Sequence, residues 1–230
     1  IAAKEVISSI EKRQFSLSSE PLIRVSVIHL GEHEYILVIA IHHIISDGWT
    51  MELLIGELSE LYNSLLKGGE KTVQLARESD LQYLDYVYWL KQQKEMQEQQ
   101  RNFWANTLDS DMPALSIPTD YKRPKLQSHN GNTVERSLTG SHASQLKNFC
   151  KENKITSFMF MMTVFSILLH KLSGERDLPI GVPVAGRSRK EMEAMLGFFV
   201  NTVVMRCNIE QEQTVSDYME TIRNRALSAF

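Results

Sequence analysis

A chain of 230 residues, 43% hydrophobic and 23% charged, carries enough apolar material for one large core or two smaller ones, which excludes a disordered polymer. Its formal net charge of −3, with both signs interspersed, provides no basic field for a phosphate backbone and excludes nucleic acid as a partner. The longest apolar runs, residues 35–41 and 158–169, are too short or too polar-flanked to span a bilayer, and no charged-then-apolar secretory pattern opens the sequence, so we expect a cytoplasmic protein with no membrane partner.

In chain order, helical spacing over residues 4–12 is followed by an alternating strand over 22–30 and, across Gly31, a nearly continuous apolar run over 35–41. Such a run predicts a central strand buried on both faces. Ser46 and Asp47 are N-cap residue types, and Trp49, Leu53, Leu54, Leu58, Leu61, Tyr62 and Leu65 follow at helical spacing until Gly68-Gly69, so the segment between strand and helix is a turn. A second long helix is predicted over 80–108, with Leu81, Leu84, Tyr88 and Trp89 on one face and a glutamine-rich, solvated surface over 92–101. Pro113, Pro118 and Pro124, among few periodic apolar positions, mark a linker, which we place at 111–131. Beyond it the pattern predicts a strand over 132–138, helices over 141–152 and 156–172, and a strand over 178–184. A loop at 185–189, a short helix over 190–196, a strand over 200–207 and an amphipathic stretch over 215–230 complete the chain. No period of 20 to 50 residues recurs, which argues against a solenoid. Alternating strands and long helices predict an α/β architecture. The start at Ile1 without methionine and the end at Phe230 inside an amphipathic stretch lead us to expect a segment of something longer.

The chemistry-bearing residues gather at the first strand-to-helix turn, His42-His43-Ile44-Ile45-Ser46-Asp47-Gly48. If the strand continued through both histidines they would point to opposite faces, one to a site and one to the interior. Two neighbouring histidines on a strand do not easily share a tetrahedral metal, and no HxxxH or CxxC pattern adds ligands, so no metal site is expected. Cys150 and Cys207 stand far apart without paired spacing, which suits a reducing compartment and argues against a zinc ribbon or a disulfide framework. Asp47 and the Gly48 amide sit at a helix start, where free N–H donors and the positive end of the dipole gather. A neutral imidazole beside such amides can take a proton from a nucleophile and stabilise an oxyanion, an acyl-transfer arrangement without an enzyme nucleophile. The same residues taken alone also fit a hydrogen-bonded packing pair followed by an N-cap and a turn glycine.

What separates these readings is resemblance. HHIISDG at 42–48, followed by Trp49-Thr50, resembles the HHxxxDG signature of nonribosomal peptide synthetase condensation domains, and four further segments match in order. YLDYVYW at 83–89 is similar to the family's YxDFAVW block, PTDYKRP at 118–124 to PTDxxRP, IGVPVAGR at 180–187 to IGxPVAGR, and LGFFVNT at 196–202 to the GxFVNT block. HHxxxDG alone is shared with other acyltransferases; the ordered set is highly specific.

The resemblance covers nearly the whole chain and implies a two-lobed chloramphenicol acetyltransferase-like α/β fold, incomplete at both ends. Residues 1–110 would be the C-terminal part of the first lobe, 111–131 the inter-lobe linker and 132–230 the N-terminal part of the second. It implies peptide-bond formation between aminoacyl or peptidyl thioesters that arrive on the 4'-phosphopantetheine arms of donor and acceptor peptidyl carrier proteins, with an adenylation domain nearby and no directly bound cofactor. On that template His43 faces a tunnel as a catalytic residue, Gly48 offers its amide near the donor thioester, and His42 and Asp47 hold the turn. Asn201 would be a buried residue fixing a strand near the tunnel. A heterocyclisation domain would replace the histidines with an aspartate pattern, and an epimerisation domain departs from Gly48-Trp49; neither departure is present. The family's arginine-bearing block before the histidines has no counterpart here, so the arginine partner of Asp47 is expected to lie outside the chain. Tyr83, Tyr86 and Trp89 read as packing residues, and Arg187 and Arg189 as solvated loop residues that could meet an acidic carrier surface. Two rival readings are a CoA- or carrier-dependent acyltransferase of the same fold and a catalytically incomplete carrier-binding fragment.

Overall fold

β1 (Ile23–Gly31) and β2 (Glu34–Ile41) form an antiparallel hairpin in register from Ile23↔Ile41 through Val25↔Ile39 and Val27↔Leu37, with an irregularity between His29 and Gly31. The computed structural model that shows this describes residues 2–67, 81–108, 115–126, 128 and 131–229. The helix α1 (Ala2–Lys12) packs on β2. β2 is not buried on both faces as its apolar run predicted: Val25, Val27 and Leu37 on one face of the hairpin are 59%, 64% and 45% exposed. A continuous apolar strand needs cover on two sides, and among the described residues the hairpin has two strands only.

After β2 a 3-10 turn (His43–Ile45) leads to α2 (Gly48–Leu66), capped by Asp47. The glycines predicted to end this helix, Gly68 and Gly69, lie outside the described residues, as does the predicted helix start at Asp80. The long helix expected over 80–108 is two helices, α3 (Tyr83–Gln92) and α4 (Lys94–Thr107), broken at Gln93. α3 begins where the Asp85 carboxylate accepts from the Gln82 amide at 2.8 Å, a local start signal.

The chain forms two compact units that alternate along the sequence, Ile1–Lys94 with Val184–Asn201, and Glu95–Pro183 with Thr202–Phe230. Residues 184–201, which the sequence reading assigns to the second lobe, therefore pack with the first stretch. Residues 115–126 are irregular and exposed or nearly so, and the linker residue Pro113 lies outside the described residues.

The second unit holds α5 (Gly140–Glu152), α6 (Ser157–Ser173), most of β3 (Asp177–Val184) and β4 (Asn201–Asn208), which pair, and α7 (Val215–Ala229). Thr156 caps α6 through its hydroxyl, and Gly174 ends it with φ +78°, a conformation that favours glycine. Met162, Leu169, Leu178, Met205, Tyr218 and Ile222 are the heart of its core, each large apolar side chain worth roughly 1.5–3 kcal/mol on burial. The Tyr218 hydroxyl donates to Ser166 Oγ at 2.8 Å inside it. Burial pushes the nearby Cys207 thiol up to about 11, so this cysteine is an inert core residue. The strand predicted over 132–138 is irregular, with Val134 and Leu138 at 80% and 63% exposure; strand propensity without a partner edge does not make a strand. Among the described residues no single helix is long and apolar enough to cross a membrane, and the pair α5–α6, which would qualify jointly, bends by 101°.

Candidate active site

His42, His43, Asp47 and Gly48 lie in the first unit, at the turn that joins β2 to α2. The strand ends at Ile41, so the two histidines are separated by a 3-10 turn rather than by the pleat. His42 caps that turn: its Nδ1 accepts from the Ile44 amide at 3.0 Å, and its ring meets Phe15 in a T-shaped contact at 5.9 Å. His43 is exposed and meets the Phe198 ring, T-shaped, at 5.6 Å. The two histidines therefore differ in setting: His42 is tied to the turn as its cap, and His43 is exposed.

Asp47 is 2% exposed and fully engaged. Its Oδ1 accepts from the Thr50 amide at 2.8 Å and from Arg187 Nη2 at 3.3 Å, and its Oδ2 accepts from the Phe199 amide at 2.9 Å. Burial pushes its carboxyl pKa up, but the Phe199 and Thr50 amides and the Arg187 guanidinium together hold it below the ordinary aspartate value. The partner of Asp47 is therefore inside this chain, contrary to the expectation that it lies elsewhere, and Arg187 is not a solvated loop residue. The Arg187 side chain is 1% exposed. Its Nη1 donates to the carbonyls of Met192 and Met195, and its guanidinium lies 4.1 Å over the Phe199 ring. Arg189, two residues on, is exposed and stacks over Trp89 at 4.5 Å.

Thr50 is the second anchor. Its buried hydroxyl donates to the Gly197 carbonyl at 2.6 Å and accepts from the Gly197 amide and from Arg187 Nη2, both at 3.0 Å. Gly197 must be glycine, because a Cβ there would sit 2.2 Å from Tyr83 Cδ2. Gly186, at φ +68°, has the same constraint against the Phe199 carbonyl. Tyr83, Tyr86 and Trp89 pack with Met192, Met195 and Phe199, as read from their helical spacing, and the Tyr83 hydroxyl donates to the Phe198 carbonyl at 2.8 Å.

Gly48 is the first residue of α2, exposed, with open space where a Cβ would project. Neither strain nor packing asks for glycine here. Asn201 is corrected: it opens β4 as an exposed residue rather than a buried one, since it stands at the very end of the strand. Among the described residues no group of three or more His, Cys, Asp or Glu could hold a metal ion. Sequence reasoning missed Thr50, Gly197 and Phe199 as parts of the site, although each falls in a segment already quoted. Their signal was the recurrence of those segments together.

The family model for the Condensation domain matches residues 2–230. A linear gramicidin synthase of Brevibacillus parabrevis is 38% identical over 221 residues, which cover 95% of this chain and 3% of that protein. Surfactin synthase subunit 1 of Bacillus subtilis (strain 168) is 37% identical over 220 residues, 95% of this chain and 6% of that protein. The chain thus spans a small share of the curated relatives it matches. Among solved structures, a four-domain nonribosomal peptide synthetase bound to AMP and glycine is 27% identical with a TM-score of 0.74, over 98% of this chain and 17% of that one. The X-domain from teicoplanin biosynthesis, at 20% identity, shares the fold with a TM-score of 0.82 over 98% of this chain and 52% of that one.

Proposed function

The chain belongs to the condensation-domain family, and on that premise we propose that it is part of a domain joining carrier-tethered aminoacyl or peptidyl thioesters into an amide during nonribosomal peptide synthesis. The observation that carries the reading is the contrast within one turn: Asp47 is buried and held by the Thr50 amide, the Phe199 amide and Arg187, while the His43 imidazole stands exposed and position 48 is open. A reactive group presented from a rigid support is what positioning catalysis requires.

In this mechanism the neutral α-amine of the acceptor attacks the donor thioester carbonyl, forming the C–N bond and a tetrahedral oxyanion. The adduct collapses with cleavage of the C–S bond, and the donor arm leaves as a thiolate. The amine proton passes through the His43 imidazole to that sulfur, so the histidine is regenerated. An α-amine with a pKa of about 8 is already partly neutral near pH 7; His43 orients it and stabilises the adduct as well as moving its proton. The Gly48 amide, at the N-terminus of α2, faces the developing negative charge, where an oriented N–H donor is most effective. His42 and Asp47 hold the turn. Asn201, at the start of β4, is kept in this reading as structural support.

The partners in this reading are donor and acceptor peptidyl carrier proteins with an adenylation domain in the same assembly, and the phosphopantetheine arms come with the substrates. The relatives named above, which are peptide synthases and synthetases, support it. The same reading keeps a linker at 111–131 between lobes 1–110 and 132–230, although the compact units exchange residues 184–201 across that division. The test is dipeptide formation by the full-length protein carrying this chain, with donor and acceptor aminoacyl carrier proteins, wild type against an equally folded His43→Ala. Loss of product by at least about a hundredfold is expected; unchanged turnover would remove His43 from the mechanism.

A further inference from the structure

We propose that Phe198 is a positioning residue for His43, its backbone anchored by the motif turn so that its ring sets the orientation of the exposed imidazole. The inference rests on the functional reading above and adds to it a residue outside the HHxxxDG run. Among the described residues the His43 ring makes no hydrogen bond; its aromatic contact is Phe198, at 5.6 Å and 78° between planes. A histidine χ2 torsion is broad when nothing fixes it. The neighbouring ring is then what selects the direction in which the imidazole nitrogens point.

That service requires Phe198 itself to be fixed, and it lies in irregular backbone between the 3-10 turn at Lys190–Ala194 and β4. The peptide groups on both sides of it are tied down. Thr50 Oγ1 holds both the amide and the carbonyl of Gly197, the Asp47 carboxylate accepts the Phe199 amide, and the Tyr83 hydroxyl donates to the Phe198 carbonyl. Two of these three anchors, Asp47 and Thr50, stand four and seven residues after His43. The turn that presents the imidazole therefore also anchors the backbone that carries the Phe198 ring, and Gly197 allows the close approach because it has no Cβ to meet Tyr83. Phe198 is half-buried, and its own side chain is not enclosed in the Met192, Met195 and Phe199 cluster beneath. It is placed for orientation more than for core packing.

The test uses the full-length protein and two aminoacyl carrier proteins under single turnover, so that amide formation sets the rate. Phe198→Leu keeps an apolar side chain and removes the ring; its rate constant at saturating acceptor falls by about tenfold while half-saturation stays within about twofold. The thermal midpoint is unchanged, and Phe198→Tyr, which restores a ring, recovers the rate to within about threefold. In a His43→Ala background Phe198→Leu gives no further loss of the residual rate, because no imidazole remains to be oriented. An unaffected rate in Phe198→Leu alongside a large loss in His43→Ala overturns the inference and leaves the functional reading standing. A loss equally large with and without the imidazole also overturns it. Unchanged turnover in His43→Ala overturns the functional reading and this inference together.

Discussion

Arg187 Nη2 lies 3.3 Å from Asp47 Oδ1 with 1% and 0% of the two side chains exposed, and the residues are 140 positions apart in sequence. Taking two charges out of water consumes much of what their attraction supplies, so the pair is better seen as a fastener of one geometry than as a source of stability. Removing one member is a different matter. Arg187→Leu is expected to destabilise the chain by about 3–5 kcal/mol in urea titration, because a buried carboxylate loses its cation. Adding Asp47→Asn to Arg187→Leu should recover part of that loss, since the neutral amide no longer needs a counter-charge. A double variant no more stable than Arg187→Leu would mean that the cation–π and carbonyl contacts of Arg187 carry the effect.

Acid should act on the same carboxylate. Folding lowers the Asp47 pKa below the ordinary aspartate value, so the unfolded chain binds the proton more tightly. Its contribution to stability is complete above the ordinary aspartate range and is lost as the pH falls through the lowered folded-state value. Asp177, held down first by its hydrogen bonds from Arg206, has the same sign. Stability measured from about pH 6 down to about pH 2 should therefore fall steeply in the wild type and more gently in Asp47→Asn. Identical acid slopes would assign the sensitivity to Asp177 and its fellows.

Two glycines should answer alanine in opposite ways. Gly197→Ala drives a methyl into the Tyr83 ring and is expected to cost about 1–3 kcal/mol, as overpacking does. Gly48→Ala meets open space at the start of a helix and should leave the thermal midpoint unchanged or slightly raised. Its effect belongs to the reaction: crowding beside the helix amide should lower dipeptide formation. Full activity in a stable Gly48→Ala protein would take position 48 out of the site.

The histidine pair should also divide. His42→Ala removes the acceptor of the Ile44 amide and the edge contact with Phe15, for an expected loss of about 1 kcal/mol. His43→Ala, at an exposed position, should change stability by less than about 0.5 kcal/mol. Calorimetry on the two variants checks this, and equal losses would contradict the separation of support from chemistry.

Much of the architecture was legible because its signals are local. Asp47 announces the start of α2 as an N-cap, and the alternation over 22–30 announces β1. Gln93 announced nothing: the segment contains no glycine or proline, and the break between α3 and α4 has no local residue signal. The segment 132–138 was read as a strand, but a strand needs a neighbour to exist, and sequence carries no record of neighbours. Arg187 and Arg189 look alike in a loop; one is buried against Asp47 and the other stacks in the open on Trp89. Only the tertiary fold tells them apart, which is why the cation that fastens the turn of the histidines was expected elsewhere.

The distance along the chain between Thr50 and Gly197, 147 residues, also sets an order in time. A ribosome adding about 5–20 residues per second completes the motif turn roughly 7–30 s before the segment that closes over it emerges. Throughout that interval Asp47 and the Thr50 hydroxyl lack the Arg187, Gly197 and Phe199 groups that hold them in the folded unit. The turn must therefore wait open, and the late arrival of residues 187–199 is the event that dries it.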